Sequence, residues 1–207
     1  CHEHREYYSL ISLKNLLDRY NLEIFDVELN GINGGSIRTC IKFKDNKGLR
    51  GFEVAEKRVQ DILNKEKTLE FDTEKPYEQF ILRIRKIKEE LMNFLKEEKN
   101  KGKKIWVYGA STRGNVVLQY FGIDANIVDF IADKNPDKHG KKTVGTLIPI
   151  TSPEKMRKVR PDYLLVNTWH FFDEIKKQEG EYYKTGSKFL VALPRFKVVW
   201  LLYTVHL

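Results

Sequence analysis

Cysteine is scarce in this chain, which contains two among 207 residues. Cys1 and Cys40 lie far apart in the sequence, and neither belongs to a CxxC pair. A disulfide framework or a zinc ribbon needs several closely spaced cysteines, so neither is indicated. The low cysteine content is typical of a reducing compartment, and we expect a cytoplasmic protein.

Long apolar runs are also missing. No stretch of about 18 consecutive apolar residues occurs, so the sequence predicts no membrane-spanning helix. The first residues are polar and charged, unlike a secretory signal peptide. Hydrophobic residues still make up 41% of the chain and charged residues 32%, which is enough apolar material for a folded core.

The charge balance is positive, with a net charge of +8 and an isoelectric point near 9.3. The basic residues alternate with acidic ones in residues 96–104 and 133–142. Such mixed runs are typical of solvated helix ends and loops rather than of a nucleic-acid footprint. We therefore expect no nucleic-acid partner, and a phosphorylated small molecule would account for the positive excess.

The first hundred residues alternate between helical and extended patterns. Residues 9–21 have apolar positions at helical spacing, whereas 22–30 and 36–44 alternate as two strands of a hairpin. Residues 52–100 are helical in pattern. Their apolar stripe comprises Phe80, Ile84, Ile87, Leu91, Phe94 and Leu95, which favours a core or interface role.

From residue 103 onward, short apolar strands alternate with helices. The predicted strands are 105–109, 127–133, 147–150, 163–167 and 188–193. Near-continuous apolar strands separated by helices indicate an α/β domain with a Rossmann-like, doubly wound and mostly parallel sheet. The sequence leaves residues 200–207 unassigned.

A glycine-containing turn, GASTRGN, follows the first of these strands at 109–115. A turn between a strand and a helix offers free backbone N–H groups and a helix dipole to an anion. It matches neither GxGxxG nor a P-loop. The candidate binding residues are Gly109, Ser111, Thr112, Arg113, Gly114 and Asn115, and a purely structural turn is the alternative.

Two further strand ends carry candidate residues. Asp133 follows the second strand, where dinucleotide-binding folds place an acid that holds a ribose. Thr168, Trp169 and His170 follow the fourth strand and would face the same crevice as GASTRGN if the first and fourth strands are neighbours. Trp169 and His170 could instead be packing residues.

The chain opens with CHEHREYYSL, which places two histidines around Glu3. A histidine titrates near neutral pH and is suited to moving protons. A zinc site would need three or four ligands, and none is obvious nearby. An exposed polar segment is the alternative. In NGINGGSIR the glycines favour a hairpin turn, with Asn33 as the side chain that could approach a substrate.

Taken in order, these segments resemble a known family over roughly residues 1–195. The matching segments are CHEHREYYSL, FDVELNGINGGSIR, YGASTRGNVVLQYFGI, IADKNPDKHGKKTVGTLIPI, PDYLLVNTWHFFDEI and a strand ending in ALP. The family is that of the S-adenosylmethionine-dependent C-methyltransferases that act on nucleotide-linked keto-deoxysugars.

This resemblance implies a division of the chain. Residues 1–45 resemble the tail of a methyltransferase fold with its closing antiparallel hairpin, 46–102 a helical connector, and 103–199 a Rossmann-like domain that helps to hold a nucleotide diphosphate sugar. The resemblance places the S-adenosylmethionine-binding half and a zinc-binding part upstream of Cys1, so we expect the chain to be a C-terminal fragment.

The resemblance also implies catalytic roles for Glu3 and His4, with His4 as the base. Some members carry a tyrosine before this triplet, where this chain has Cys1. Two other hypotheses remain open from the residues alone. One is an NAD-binding oxidoreductase domain using GASTRGN and Asp133, and the other is an interaction module that assembles through the stripe at 80–95. The oligomeric state is not indicated.

Overall fold

A computed structural model describes residues 6–32, 35–46, 53–184, 186–200 and 203–206. The chain divides into two compact units, and their boundary falls between Leu82 and Arg83. Among the described residues, no helix combines the length and the apolar character that crossing a bilayer requires.

The first unit begins with helix α1, Leu10–Asp18. Its first turn is capped twice. The Ser9 hydroxyl accepts a hydrogen bond from the Ser12 N–H, and the buried Glu66 carboxylate accepts from the N–H groups of Leu10 and Ile11 at 2.7 and 2.8 Å. These N–H groups have no partner within the helix, so a carboxylate there stabilises its start.

The predicted hairpin is confirmed. Strands β1, Leu22–Asn30, and β2, Ser36–Phe43, pair antiparallel, with a register shift between Ile24 and Asp26. The side chain of Asp26 binds the Arg58 guanidinium through both oxygens at 2.7 Å.

The predicted helical stretch at 52–100 consists of two helices. They are α2, Glu53–Thr68, and α3, Lys75–Asn100. The break includes Glu70 with a φ of 57°, a left-handed conformation that does not continue a helix. Within the predicted stripe, Ile87, Leu91 and Leu95 are buried and belong to the core of the second unit.

The second unit contains a seven-stranded sheet with the order β5-β4-β3-β6-β7-β8-β9. The strands are β3 Ile105–Tyr108, β4 Phe130–Ala132, β5 Ile150–Thr151, β6 Tyr163–Val166, β7 Lys188–Val191, β8 Lys197–Trp200 and β9 Tyr203–His206. Strands β3 to β7 are parallel, as predicted. Strands β8 and β9 extend the sheet antiparallel, so the unassigned tail contributes its outer strand.

α-Helices connect β3 to β4, β5 to β6 and β6 to β7, whereas only the short 3₁₀ helix Pro136–Lys138 lies between β4 and β5. These α-helices are α4 Thr112–Phe121, α5 Pro153–Val159, α6 Phe172–Gln178 and α7 Gly180–Lys184. Along β3, Ile105 and Val107 belong to one core cluster with α3 and α4, whereas Trp106 and Tyr108 belong to another. Alternate residues of one strand therefore face opposite cores, which confirms a sheet covered on both faces.

Candidate functional site

The chain reverses its winding direction between β3 and β6. Strands β4 and β5 lie on one side of β3, and β6 lies on the other, paired with β3 from Ile105↔Tyr163 to Tyr108↔Val166. The segments that follow β3 and β6 therefore emerge side by side. This pairing confirms the predicted meeting of 109–115 with 167–171. Open α/β sheets bind their ligands at such a switch point.

Two glycines allow these segments to touch. Gly109 has a φ of +93°, and a Cβ there would lie 2.9 Å from the Thr168 Cγ2. Gly114 lies against the buried Asn167, and a Cβ would overlap the Asn167 amide group. The Asn167 Nδ2 also donates to the Gly109 carbonyl at 3.3 Å. Asn167 thus positions the turn, a role that the sequence did not identify.

The turn leads directly into α4. Ser111 is the N-cap, and its hydroxyl accepts from the Gly114 N–H at 3.0 Å. Thr112 and Arg113 are exposed in the first turn. The positive end of the helix dipole and a guanidinium therefore face solvent together, an arrangement suited to an anion.

Asp133 holds the turn from the β4 side. Its buried carboxylate accepts from the Ala110 N–H at 2.6 Å and from the Asn135 N–H at 2.9 Å. The Lys138 Nζ donates to the Ala110 carbonyl at 2.9 Å and lies 3.3 Å from the Asp133 Oδ2. Donors of the chain itself thus engage both Asp133 oxygens, which gives this residue a role in loop positioning.

Asn115 is directed towards the segment before β5. Its Nδ2 donates to the Val144 carbonyl at 3.2 Å, and the Gln119 Nε2 donates to the same oxygen at 2.7 Å. The Asn115 Oδ1 is buried, and it has no hydrogen-bond donor within the part of the chain that the structure describes.

The residues after β6 divide into two kinds. Trp169 is partly buried, packs against the second core cluster, and lies 4.6 Å from the His170 ring, measured between centroids. Thr168 is partly buried against Gly109, and His170 is exposed. Thr168 therefore borders the glycine turn, His170 faces solvent, and Trp169 supports this loop through packing.

A buried polar network lies under the turn, and the sequence did not reveal it. Tyr108 immediately precedes Gly109, and its hydroxyl donates to the Glu179 Oε1 at 2.9 Å. The Arg157 guanidinium donates to both Glu179 oxygens, at 2.8 and 2.9 Å. Burial raises the pKa of Tyr108, and the hydrogen bond to Glu179 raises it further. Tyr108 therefore stays neutral and structural.

The remaining predicted site residues are Glu3, His4 and Asn33, and all three lie outside the described residues. Cys40 is exposed on β2. Residues 6–32, 35–46 and the described parts of 53–206 contain no group of three or more His, Cys, Asp or Glu that could hold a metal ion. The described residues thus offer no zinc site.

Comparison with known proteins matches residues 31–194 to the model of the C-methyltransferase C-terminal domain. The chain is also 31% identical over 198 residues to C-methyltransferase NovU of Streptomyces niveus. That alignment covers 96% of this chain and 46% of the relative, so the chain spans about half the length of the curated protein that it matches. Because the domain model covers most of the sequence, this chain belongs to the C-methyltransferase C-terminal domain family.

Proposed function

We propose that this chain is the substrate-binding, C-terminal part of an S-adenosylmethionine-dependent C-methyltransferase that methylates a carbon next to a ketone of a nucleotide-linked sugar. The main support is the switch point between β3 and β6, where Gly109 lies against Thr168 and the first turn of α4 lies against Asn167. Domain family membership and the likeness to a C-methyltransferase favour this reaction over others.

In this proposal the diphosphate of the substrate lies at the GASTRGN turn. The N–H group of Thr112 begins α4 and has no acceptor within the helix, so it is the backbone donor that would face the anion. The Arg113 guanidinium adds a charge whose planar donors match phosphate oxygens. Thr168 supplies a hydroxyl and His170 an imidazole at the same crevice.

The proposed chemistry needs a base because the C–H bond next to a ketone is only weakly acidic. His4 would accept that proton and Glu3 would orient the imidazole; the enolate carbon would then take the methyl group as its bond to sulfur breaks, with S-adenosylhomocysteine as the leaving group. S-adenosylmethionine supplies an electrophilic methyl group, and in this proposal the portion of the enzyme preceding this chain binds it. Zinc belongs to that portion as well.

Calorimetry tests the binding proposal on the 207-residue chain itself. We expect thymidine diphosphate to bind and Arg113→Glu to weaken binding at least about tenfold, since a lost charge-assisted hydrogen bond costs about 1.5–3 kcal/mol. Lys158→Glu is the matched control, because it makes the same charge change away from the site. Lys158 lies in the last turn of α5, which leads into the amino end of β6, whereas the site lies at the carboxyl ends of the strands. Equal affinities for the two variants would contradict the proposed site.

The same measurement distinguishes the proposed nucleotide-sugar site from the NAD-binding hypothesis. Donors of the chain already engage both oxygens of Asp133, so the structure adds no support for a ribose role. We expect NAD to bind more weakly than thymidine diphosphate. Tighter binding of NAD would favour an oxidoreductase domain instead.

The catalytic part of the proposal is tested in a protein that carries both this chain and an S-adenosylmethionine-binding portion. His4→Ala should leave nucleotide-sugar affinity nearly unchanged and lower turnover by about a hundredfold, the scale expected for a lost general base. Unchanged turnover would remove His4 from the mechanism and leave the binding site at GASTRGN unaffected.

A further inference from the structure

A second cavity lies between α3 and the segment that follows β7. Its volume is about 320 Å³, within the range of sites for small molecules. Arg83, Lys86 and Arg195 line it, together with Glu90. All of these residues belong to the second compact unit, so the cavity is formed within one unit.

The charge of this cavity is positive. Three cationic side chains face one carboxylate, and the Lys86 Nζ lies 3.8 Å from Glu90 across one helical turn. An exposed pair at this distance contributes little energy, because water screens it and both side chains lose freedom. This pair therefore leaves Lys86 available to an anion at little cost.

The floor of the cavity is apolar. Ile87 and Phe196 line it and are buried, with 7% and 2% of their surface exposed, and Pro194 lines it as well. Cations beside a rigid apolar floor suit a ligand that carries an anionic group on a ring or another apolar body.

The cavity lies at the edge of the sheet where ligands are expected. Pro194–Phe196 follow the carboxyl end of β7 and line the cavity, which places it at that edge of the sheet. Strand β7 is two positions from β3 in the sheet, about 10 Å at the usual strand spacing. The cavity and the glycine turn thus share one edge but are separate.

We infer that this cavity binds a phosphate-bearing small molecule. Arg83 and Arg195 bind its phosphate oxygens through planar guanidinium donors, Lys86 adds a point charge, and the floor formed by Ile87, Pro194 and Phe196 receives the apolar part. The inference does not depend on the proposed methyltransferase reaction, because it rests on the lining of this cavity alone.

Inorganic pyrophosphate is the probe for this site. The assay uses the 207-residue chain carrying Arg113→Glu, so that the glycine turn contributes little anion binding. We expect pyrophosphate to bind, and Arg195→Ala to weaken it at least about tenfold. Arg195→Lys should restore only part of the affinity, because an ammonium cannot form the bidentate contact. Binding should also weaken as salt rises.

Arg85→Ala is the matched control. Arg85 carries the same charge as Arg195 and lies on α3 close to Arg83 and Lys86, but it lines a different cavity together with Met92 and Phe121. It should leave pyrophosphate affinity within about twofold, whereas Arg195→Ala should not. Equal effects of the two substitutions, or no pyrophosphate binding at all, would overturn the inference. Unchanged thermal unfolding of each variant shows that lost binding does not reflect lost folding.

Thymidine diphosphate distinguishes the sources of the phosphate. If thymidine diphosphate places its phosphates in the cavity, Arg195→Ala weakens its binding and Arg113→Glu does not, which contradicts the diphosphate assignment at the glycine turn. If the cavity holds a separate metabolite, Arg195→Ala weakens pyrophosphate binding only. If the unsubstituted chain does not bind thymidine diphosphate but does bind pyrophosphate, the proposed function is contradicted and the cavity assignment stands.

Discussion

Gly114 in the first turn of α4 packs directly against the side-chain amide of Asn167, which follows β6. This contact brings the helix start next to the neighbouring strand, and Asn167 in turn donates to the Gly109 carbonyl. The geometry of the candidate site thus depends on the absence of one side chain. A glycine that sequence patterns assign to anion binding is required here for packing.

Gly114→Ala should therefore destabilise the chain by about 1–3 kcal/mol, the usual cost of overpacking. Helix propensity alone predicts the opposite sign, because alanine is better than glycine by about 1 kcal/mol inside a helix. Chemical denaturation measures the difference. Gly180→Ala is the control, since no atom lies within 4 Å of a Cβ at Gly180. A stabilised Gly114→Ala variant would show that Asn167 moves aside freely.

Glu179→Ala should lower the free energy of unfolding by about 3 kcal/mol, because it leaves the Tyr108 hydroxyl and the Arg157 guanidinium without their buried acceptor. Glu179→Gln keeps an acceptor and should cost less. Glu181→Ala, two residues away and exposed, should change stability by less than about 0.5 kcal/mol. If both alanine variants behave alike in urea denaturation, the network contributes no stability.

Stability should decline in alkaline solution. Burial raises the pKa of Tyr163, and its hydrogen bond to Glu98 raises it further. The folded chain then keeps a proton that the unfolded chain loses near pH 10, so this stabilisation is complete below about pH 10 and is lost as pH rises towards the folded pKa. One such group contributes a slope of up to about 1.4 kcal/mol per pH unit.

Tyr163→Phe should accordingly flatten the dependence of unfolding free energy on pH above about pH 10. Lys101 also contributes there, since Glu97 and Glu98 raise its pKa to about 12, and its contribution is lost as pH rises towards that value. Because Lys101 is present in every variant, the informative quantity is the difference between the variants in the slope of unfolding free energy against pH. Tyr20→Phe, at an exposed position, should retain the original slope. Identical slopes for both variants would exclude Tyr163 as the titrating group.

Glu66→Ala should destabilise the first unit by about 1–2 kcal/mol, because two N–H groups at the start of α1 lose their acceptor. Hydrogen exchange of the Leu10 and Ile11 amides measures the loss directly. Glu56→Ala, on the exposed side of α2, should leave their protection unchanged. Protected amides in the Glu66 variant would show that the Ser9 cap alone maintains the helix start.

Several parts of the fold could be predicted from local pattern. The alternation in 22–30 and 36–44 corresponds to β1 and β2, and the apolar runs after residue 103 correspond to the parallel strands. The predicted strands 127–133 and 147–150 were too long, since β4 and β5 contain three and two residues. Apolar residues outside these strands, such as Ile127 and Ile148, pack in the core from loops, and periodicity cannot distinguish the two states.

The antiparallel tail illustrates a second limit. The apolar run at 197–206 contains β8 and β9. Strand β8 pairs with the open edge of β7, and β9 pairs with β8. Nothing in the run itself states which edge it will join, because backbone hydrogen bonds pair any two strands of suitable register.

The sequence by itself determined the fold class, the glycine turn between a strand and a helix, and the family resemblance that the domain match confirmed. These depend on residue type and short-range order. Only the tertiary structure decided that Asn167 positions the turn, that the Ala110 N–H donates to Asp133, and that Arg195 joins Arg83 and Lys86 at one cavity. The pairs Ala110–Asp133, Gly109–Asn167 and Arg83–Arg195 join residues that are 23 to 112 positions apart, a separation over which only packing and burial bring side chains together.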